Sequence, residues 1–256
     1  MSAQISRFAG TIKILRFNIG FYAVSAASLL IAALLLITHF GPDWLRALVV
    51  PIAALGAYWT LSSLLASWWI YDRARVTNWS WLPSRLSFQP ERWANIHSGF
   101  DESSTALRGF FPSTSTCTID IYDRNTMTEP SIERARKLHP AQIESMSGRF
   151  NALPLPDADR DTVFLLMAAH EVRSEKGRHS LFMETHRILA PNGQLVLVEH
   201  LRDGRNFFAF GPGFLHFFSS VSWKRILASS GFELERDEPI TPFVRCFVAR
   251  KPEASR

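Results

Sequence analysis

Two long stretches without a formal charge constrain this chain most: 24 residues from Phe17 to Phe40 and 25 from Ala47 to Tyr71. A bilayer core takes about 20 apolar residues per helix, so each stretch is long enough to span it. A cleaved secretory leader has an apolar region of only about 7–15 residues before a small-residue cleavage site. The first stretch is longer than that, and the second follows at once. The connection Gly41-Pro42-Asp43-Trp44-Leu45-Arg46 is short, which predicts an antiparallel hairpin. Pro51 falls near the start of the second helix, where a missing N–H does least harm. The alternative, a buried helical pair in a soluble protein, fits these lengths less well.

Flanking charge predicts the orientation. Arg7, Lys13 and Arg16 precede the first span, and Arg73 and Arg75 follow the second, while the connection holds only Arg46 among basic residues. By the positive-inside rule both ends face the cytoplasm, so the expectation is a two-pass protein of the inner (cytoplasmic) membrane with its remainder on the cytoplasmic side. Trp44, Trp68, Trp69 and Tyr71 sit where interfacial aromatic belts form.

The net charge of +5 admits an anionic membrane surface or nucleic acid as partner. No Lys/Arg-rich run with interleaved aromatics occurs, so the membrane is expected and nucleic acid is not. Cys117 and Cys246 lie far apart without CxxC spacing, which argues against a disulfide scaffold and a thiolate zinc centre and suits a reducing compartment. Nothing here specifies an oligomeric state.

Beyond Arg75 the character changes. Residues 1–16 read as a cytoplasmic N-terminal segment, 17–71 as the transmembrane hairpin, 72–91 as a linker near the membrane surface, and 92–256 as a soluble domain. In that domain short apolar runs alternate with helical patterns, as in a parallel sheet wrapped by helices. Strands are predicted at 93–97, 116–121, 144–149, 162–167 and 194–199, with a closing antiparallel pair at 232–236 and 243–250. Helices are predicted at 103–110, 129–138, 176–189 and 222–230.

Three segments carry a family resemblance. Arg187-Ile188-Leu189-Ala190-Pro191-Asn192-Gly193-Gln194-Leu195 resembles a helix-end, Pro/Gly turn and buried strand of class I S-adenosylmethionine-dependent methyltransferases. Ala152-Leu153-Pro154-Leu155-Pro156-Asp157 looks like that family's segment before its fourth strand, and Trp223 to Gly231-Phe232 is similar to a later helix and turn. The resemblance spans roughly Arg92 to Arg250 and implies an α/β fold: a Rossmann-like seven-stranded methyltransferase sheet with a reversed final strand, here preceded by a transmembrane hairpin.

It also implies where the cofactor S-adenosylmethionine sits. The family places a glycine-rich turn after its first strand, letting backbone approach the cofactor. Here that turn is Asn95-Ile96-His97-Ser98-Gly99-Phe100-Asp101: Asn95 stands for the usual acid, His97 and Asp101 replace glycines, and Gly99 alone is retained. Asp120, with Asp123 as the alternative, corresponds to the acid that accepts the ribose hydroxyls, and Asn151 and Ala152 to the adenine contacts.

Two polar strings follow the two most apolar strands: His170-Glu171-Val172-Arg173 and Glu199-His200-Leu201-Arg202. Level parallel strands would bring them into one cleft. Methyl transfer is an in-line displacement that needs a positioned nucleophile and sometimes a base. His170 or His200 suits the base, with Glu171 or Glu199 orienting it. Arg173 and Arg202 would hold an anionic group or pair with the glutamates. Asn206, Phe210 and His216 are candidate substrate contacts. The cluster Phe207, Phe208, Phe210, Phe214, Phe217 and Phe218 reads as a lipophilic tunnel, a membrane-facing patch, or core. Structural ion pairing is the plain alternative for each charged residue.

His170, Glu171, Glu199, His200 and His216 could in principle ligate a metal. His170-Glu171-Val172-Arg173 lacks the second histidine of an HExxH helix, so no metal ligand is assigned. The leading expectation is a membrane-anchored S-adenosylmethionine-dependent methyltransferase for a small, hydrophobic, membrane-soluble acceptor. The rivals are a degenerate, cofactor-free, membrane-tethered partner protein and a metal-dependent enzyme on the same fold.

Overall fold

The computed structural model of the chain describes residues 7–112, 115–140 and 145–253. Seven strands form one sheet: β1 (Arg92–His97), β2 (Ser115–Asp120), β3 (Ser145–Ser147), β4 (Arg160–Leu166), β5 (Leu189–His200), β6 (Glu233–Pro239) and β7 (Val244–Arg250). Their order is β3-β2-β1-β4-β5-β7-β6. The first five run parallel, and β7 inserts antiparallel between β5 and β6. This is the predicted sheet, reversed final strand included. Glu144, the predicted start of the third strand, lies outside the described residues. The strand order reverses between β1 and β4, and such a switch point opens a cleft beyond the carboxyl ends of the strands.

Val163, Leu165, Leu195 and Leu197 face one side of the sheet, where they meet Leu181 and Phe182 of α6 (Glu175–Ile188) and Trp223 and Ile226 of α8 (Ser220–Ser229). Serines cap both helices, Ser174 accepting from the Gly177 N–H and Ser219 from the Ser222 N–H. The alternate residues Phe164, Val196 and Val248 face the other side, as period-two alternation requires. There they meet Leu107 of α4 (Ser104–Phe110) together with Ile70, Val76, Trp79, Leu82 and Leu86.

That second face corrects an expectation. The segment read as a surface linker is instead the cover of half the core: Val76, Trp79 and Leu82 are fully buried. Tryptophans beside a span suit an interface and a core equally well, and here burial against the sheet prevails over the headgroup level.

Ahead of the sheet lie α1 (Ala9–Phe17), α2 (Ile19–Ile37) and α3 (Asp43–Ser67), the last continuing into a π-helical turn, Trp68–Arg73. Two spans, Ile19–Ile37 and Asp43–Asn78, are long and apolar enough to cross a membrane, and their most apolar windows are 0% and 6% buried within the protein. A core helix of a soluble protein would be mostly buried instead. Tyr22–Ser63 (3.1 Å) and Ser25–Thr60 (2.6 Å) hydrogen bonds cross between α2 and α3.

The helical pair is docked on the domain. Asp72 accepts from the Gly10 and Thr11 N–H groups at 2.7 and 2.8 Å, capping α1, and Lys13 pairs with Glu102 at 2.7 Å. The remaining helices are α5 (Pro130–Leu138) and α7 (Gly204–Phe210). Arg134 of α5 donates to the Phe17 carbonyl, and Ser62 of α3 to the Ala209 carbonyl. Gly211 sits at φ +56°, and a Cβ there would lie 2.7 Å from the Trp59 indole, so the contact of α3 with the turn after α7 requires glycine.

Candidate active site

β4 ends at Leu166, and Met167 then takes φ +56°, an uncommon value for a residue with a side chain. Its N–H donates to the Val198 carbonyl at 2.8 Å, which fixes the bend. The following turn, Ala169–Glu171, sets His170 and Glu171 beside the end of β5, where Glu199 and His200 lie. The predicted meeting of the two polar strings is therefore present.

Glu199 is fully buried and accepts from His170 twice, from Nδ1 at 2.6 Å and from the main-chain N–H at 3.2 Å. His170 Nε2 lies 3.3 Å from Glu171 Oε1. His216, from the turn Gly211–His216, brings Nε2 to 3.8 Å from that same oxygen and Nδ1 to 3.6 Å from Glu129. Arg173 ties the two turns together by donating to the carbonyls of both His170 and His216. His200 is set differently: Nδ1 faces the Phe243 carbonyl at 3.1 Å, Nε2 faces the Tyr71 hydroxyl at 3.3 Å, and Phe217 stacks on the ring.

Charge follows from these neighbours. Burial alone would lower the His170 value, but Glu199 and Glu171 outweigh it and raise it to about 10. Burial pushes Glu171 up, but His170 and His216 outweigh that and hold its carboxyl well below the usual range. Burial, helped by the adjacent His170 charge, pulls His200 down to about 4. With protons as the only cations present, His170 is an imidazolium and His200 a neutral imidazole.

These groups open onto a cavity of about 650 Å³, within the usual range for small-ligand sites. His170, Glu171, Arg173 and His200 form one wall, and Phe17, Phe21 and Tyr22 of the N-terminal helices form another. Phe210, His216 and Phe217 also line it. The aromatic loop thus divides: Phe210 and Phe217 face the cavity, Phe207 packs on Trp59 and Phe214, Phe208 is exposed, and Phe218 lies beneath the Arg178 guanidinium at 3.6 Å.

The cofactor side is arranged otherwise. Asp120 ends β2 and pairs with Arg136 of α5 at 2.7 Å, while the Arg136 guanidinium lies over the Tyr122 ring. Gly99 holds φ +88°, and a Cβ there would lie 2.5 Å from an Arg136 nitrogen. The two features a nucleotide-like cofactor needs, a bare backbone turn and a carboxylate at the next strand end, are both present. A single flexible arginine side chain, about one third exposed (31%), fills the space between them. The residues that would hold the cofactor are thus in place, with Arg136 in the space between them.

Several predicted site residues have other work. Asn95 is fully buried and donates to Asp101, Ser103 and Ser104, tying the turn to the start of α4. His97 is buried, accepts from the Gly99 N–H and faces Ser145, and burial lowers its value despite Asp120 and Asp101. Asn151 and Ala152 are exposed in a tight turn and do not line the cavity. Arg202 points outward and donates to the Phe217 and Leu215 carbonyls, and among the described residues neither it nor Arg173 pairs with a glutamate. Asn206 is fully buried, and its N–H and Nδ2 both donate to Asp203, the residue that caps α7. Tyr71, expected at the interface, lines the cavity instead. Glu129 and Arg136 were not anticipated as site residues, since an acidic helix start followed by basic residues is also an ordinary surface pattern.

Residues 113–197 match the family described as a methyltransferase domain. Comparison with curated proteins gives no match. The fold is similar to a SAM-dependent methyltransferase from Aquifex aeolicus, at 17% identity over 71% of this chain and 95% of that one, with a TM-score of 0.53. It is also similar to a SAM-dependent methyltransferase from Methanosarcina mazei, at 17% identity over 68% of this chain and 97% of that one, with a TM-score of 0.50.

Proposed function

We propose that this chain, a class I S-adenosylmethionine-dependent methyltransferase with S-adenosylmethionine as its cofactor, methylates a small, hydrophobic, membrane-soluble acceptor from a domain held at the membrane by its N-terminal helical pair. The observation that carries the acceptor class is the shared cavity: His170, Glu171 and His200 face the same space as Phe17, Phe21 and Tyr22 at the root of a span-length helix. An acceptor dissolved in a bilayer would reach such a cavity without crossing water. The flanking charges support a cytoplasmic-side catalytic domain at the inner membrane. The absence of an interleaved basic and aromatic stretch favours this acceptor over nucleic acid.

S-adenosylmethionine supplies an electrophilic methyl group on its sulfonium. Gly99 and Asp120 would hold it, the turn by close backbone approach and the carboxylate by accepting hydroxyl protons. His200 is the base: its Nδ1–H is committed to the Phe243 carbonyl, and its Nε2 lone pair, now facing the Tyr71 hydroxyl at 3.3 Å, would take the proton of an acceptor O–H or N–H that displaces that hydroxyl. With the cofactor bound, an acceptor heteroatom would take the methyl group while its proton passed to His200, with S-adenosylhomocysteine as the neutral co-product. The apolar wall excludes water, which keeps His200 neutral and the acceptor desolvated.

The test uses the full chain in detergent. Isothermal titration should give binding of S-adenosylmethionine and S-adenosylhomocysteine, and labelled methyl should appear in the organic phase when membrane extracts are supplied. Failure of well-folded protein to bind either compound, or label confined to water-soluble products, rejects the reading. Alkaline extraction of cell membranes tests the anchor, with release into the soluble fraction as the contrary result.

A further inference from the structure

We propose that His170 Nε2, His216 Nε2 and the Glu171 carboxylate form a binding site for a divalent transition-metal ion in the acceptor cavity. One ligand atom from each of the three residues lies within 4.8 Å of the others. Two edges of that triangle, from Glu171 Oε1 to His170 Nε2 and to His216 Nε2, measure 3.3 and 3.8 Å. Metal–ligand bonds of about 2.0–2.2 Å in a tetrahedral zinc sphere place ligand atoms roughly 3.3–3.5 Å apart, so only modest contraction closes the set.

The outer atoms of the histidines make the stronger case. Each imidazole turns Nδ1 toward a carboxylate, His170 to Glu199 at 2.6 Å and His216 to Glu129 at 3.6 Å. Both therefore present Nε2 inward to the same glutamate. A carboxylate behind a histidine fixes its tautomer and strengthens it as a ligand, the usual supporting arrangement of metal centres. Glu171 is nine-tenths buried, and its second oxygen has no hydrogen-bond partner among the described residues. A buried carboxylate oxygen without a partner is costly, and a cation beside it removes that cost. Three carboxylates, Glu129, Glu171 and Glu199, surround two imidazoles, so the cluster favours a divalent positive charge at its centre.

Arg173 holds the spacing by bonding the carbonyls of both histidines, and its charge is directed at backbone rather than at the ligand atoms. His200 stands outside the set, with its two nitrogens at Phe243 and Tyr71. The sequence reading, which assigned no metal because an HExxH helix is lacking, is revised on this point: the second histidine comes from a separate turn. Three protein ligands leave an open coordination position on the cavity side, as in catalytic rather than structural zinc centres. An acceptor with an ionisable oxygen would fill that position and lose its proton more readily there. That last clause rests on the acceptor reading above; the metal site itself does not.

The full chain in detergent is stripped with chelator, then titrated with Zn²⁺ and, separately, with Co²⁺. Expected are saturable, stoichiometric Zn²⁺ binding and visible Co²⁺ bands of a four- or five-coordinate site. H170A and H216A should abolish both, and Glu129→Gln should weaken binding about tenfold. His216 is partly exposed, so H216A is the variant that tests the site without disturbing the core. S-adenosylhomocysteine binding is measured in parallel, which separates loss of the metal from loss of the methyltransferase reading. Absence of Zn²⁺ and Co²⁺ binding by folded wild-type protein, or binding unchanged in H216A, overturns the proposal.

Discussion

Glu199, the last residue but one of β5, accepts a 2.6 Å hydrogen bond from His170 Nδ1 across the ends of two parallel strands, in a fully buried position. The relationship fixes the orientation of the ring, with Nε2 facing the cavity. Glu199→Gln retains the shape but removes the charge. We expect a loss of about 2 kcal/mol in stability, less than complete rupture of a buried pair, and, because His170 is a ligand of the proposed metal site that would activate the acceptor, at least a tenfold fall in methyl transfer. Thermal melts and single-turnover assays check this; unchanged values in both would show that Glu199 does not set His170.

On the proposed cofactor placement, S-adenosylmethionine would compete with Arg136, which now pairs with Asp120 and fills the space over Gly99. Arg136→Ala should tighten cofactor binding several-fold, because a partly exposed arginine–carboxylate pair is worth about 1 kcal/mol. Asp120→Asn should weaken binding by tenfold or more although it also frees Arg136. Titration of both variants with S-adenosylhomocysteine decides: weaker binding by Arg136→Ala would make the arginine a cofactor contact instead of its competitor.

His200 gives a pH dependence with a definite sign. Its value in the folded protein, about 4, lies below the ordinary histidine range because burial and the adjacent His170 charge disfavour its protonation. The unfolded chain therefore binds this proton more readily, so stability is whole above about pH 6.5 and drains as pH falls toward 4, by up to roughly 3 kcal/mol. His200→Gln should flatten the fall in melting temperature between pH 7 and 4.5. A wild-type slope identical to that of the variant would refute the assignment.

Gly211→Ala inserts a methyl group 2.7 Å from the Trp59 ring at a backbone angle suited to glycine. The expected cost is about 2 kcal/mol, with exposure of Trp59 seen as a red shift in its fluorescence. Unaltered melting and emission would mean that α3 and the α7 turn do not meet as described.

The sheet was largely legible from residue order. Leu165-Leu166 and Leu195-Val196-Leu197-Val198 are apolar runs of strand length, whereas the Pro191-Asn192-Gly193 segment, read as a turn before the strand, lies within β5, which starts directly after α6 and shifts register there. The polar strings after them announced half of the site, since side chains at the ends of adjacent strands meet by topology alone. The other half depends on distant segments. Tyr71 reaches His200 across 129 positions, and Glu129 reaches His216 only because α5 abuts the loop after α7. Neither residue carries a local pattern that distinguishes it from its surroundings. Trp79 and Leu82 misled for a related reason: the same composition serves a lipid headgroup layer and a protein interior.

The π-helical turn at Trp68–Arg73 carries a consequence for length. Its i to i+5 bonding, seen where the Ala74 N–H donates to the Trp69 carbonyl, holds one more residue than an α-helical turn. An α-helix advances about 100° per residue, so the extra residue rotates everything after it by that much relative to α3. Helical phase is thereby reset between the span-length rod and the domain. Ile70 enters the core, Tyr71 meets His200, and Asp72 caps α1, while Tyr22 still pairs with Ser63 on the other side of the turn. Residue count in this turn is thus a structural quantity in its own right. Any substitution that keeps the count preserves the phase, whereas one deletion would turn the rod out of step with its own active site.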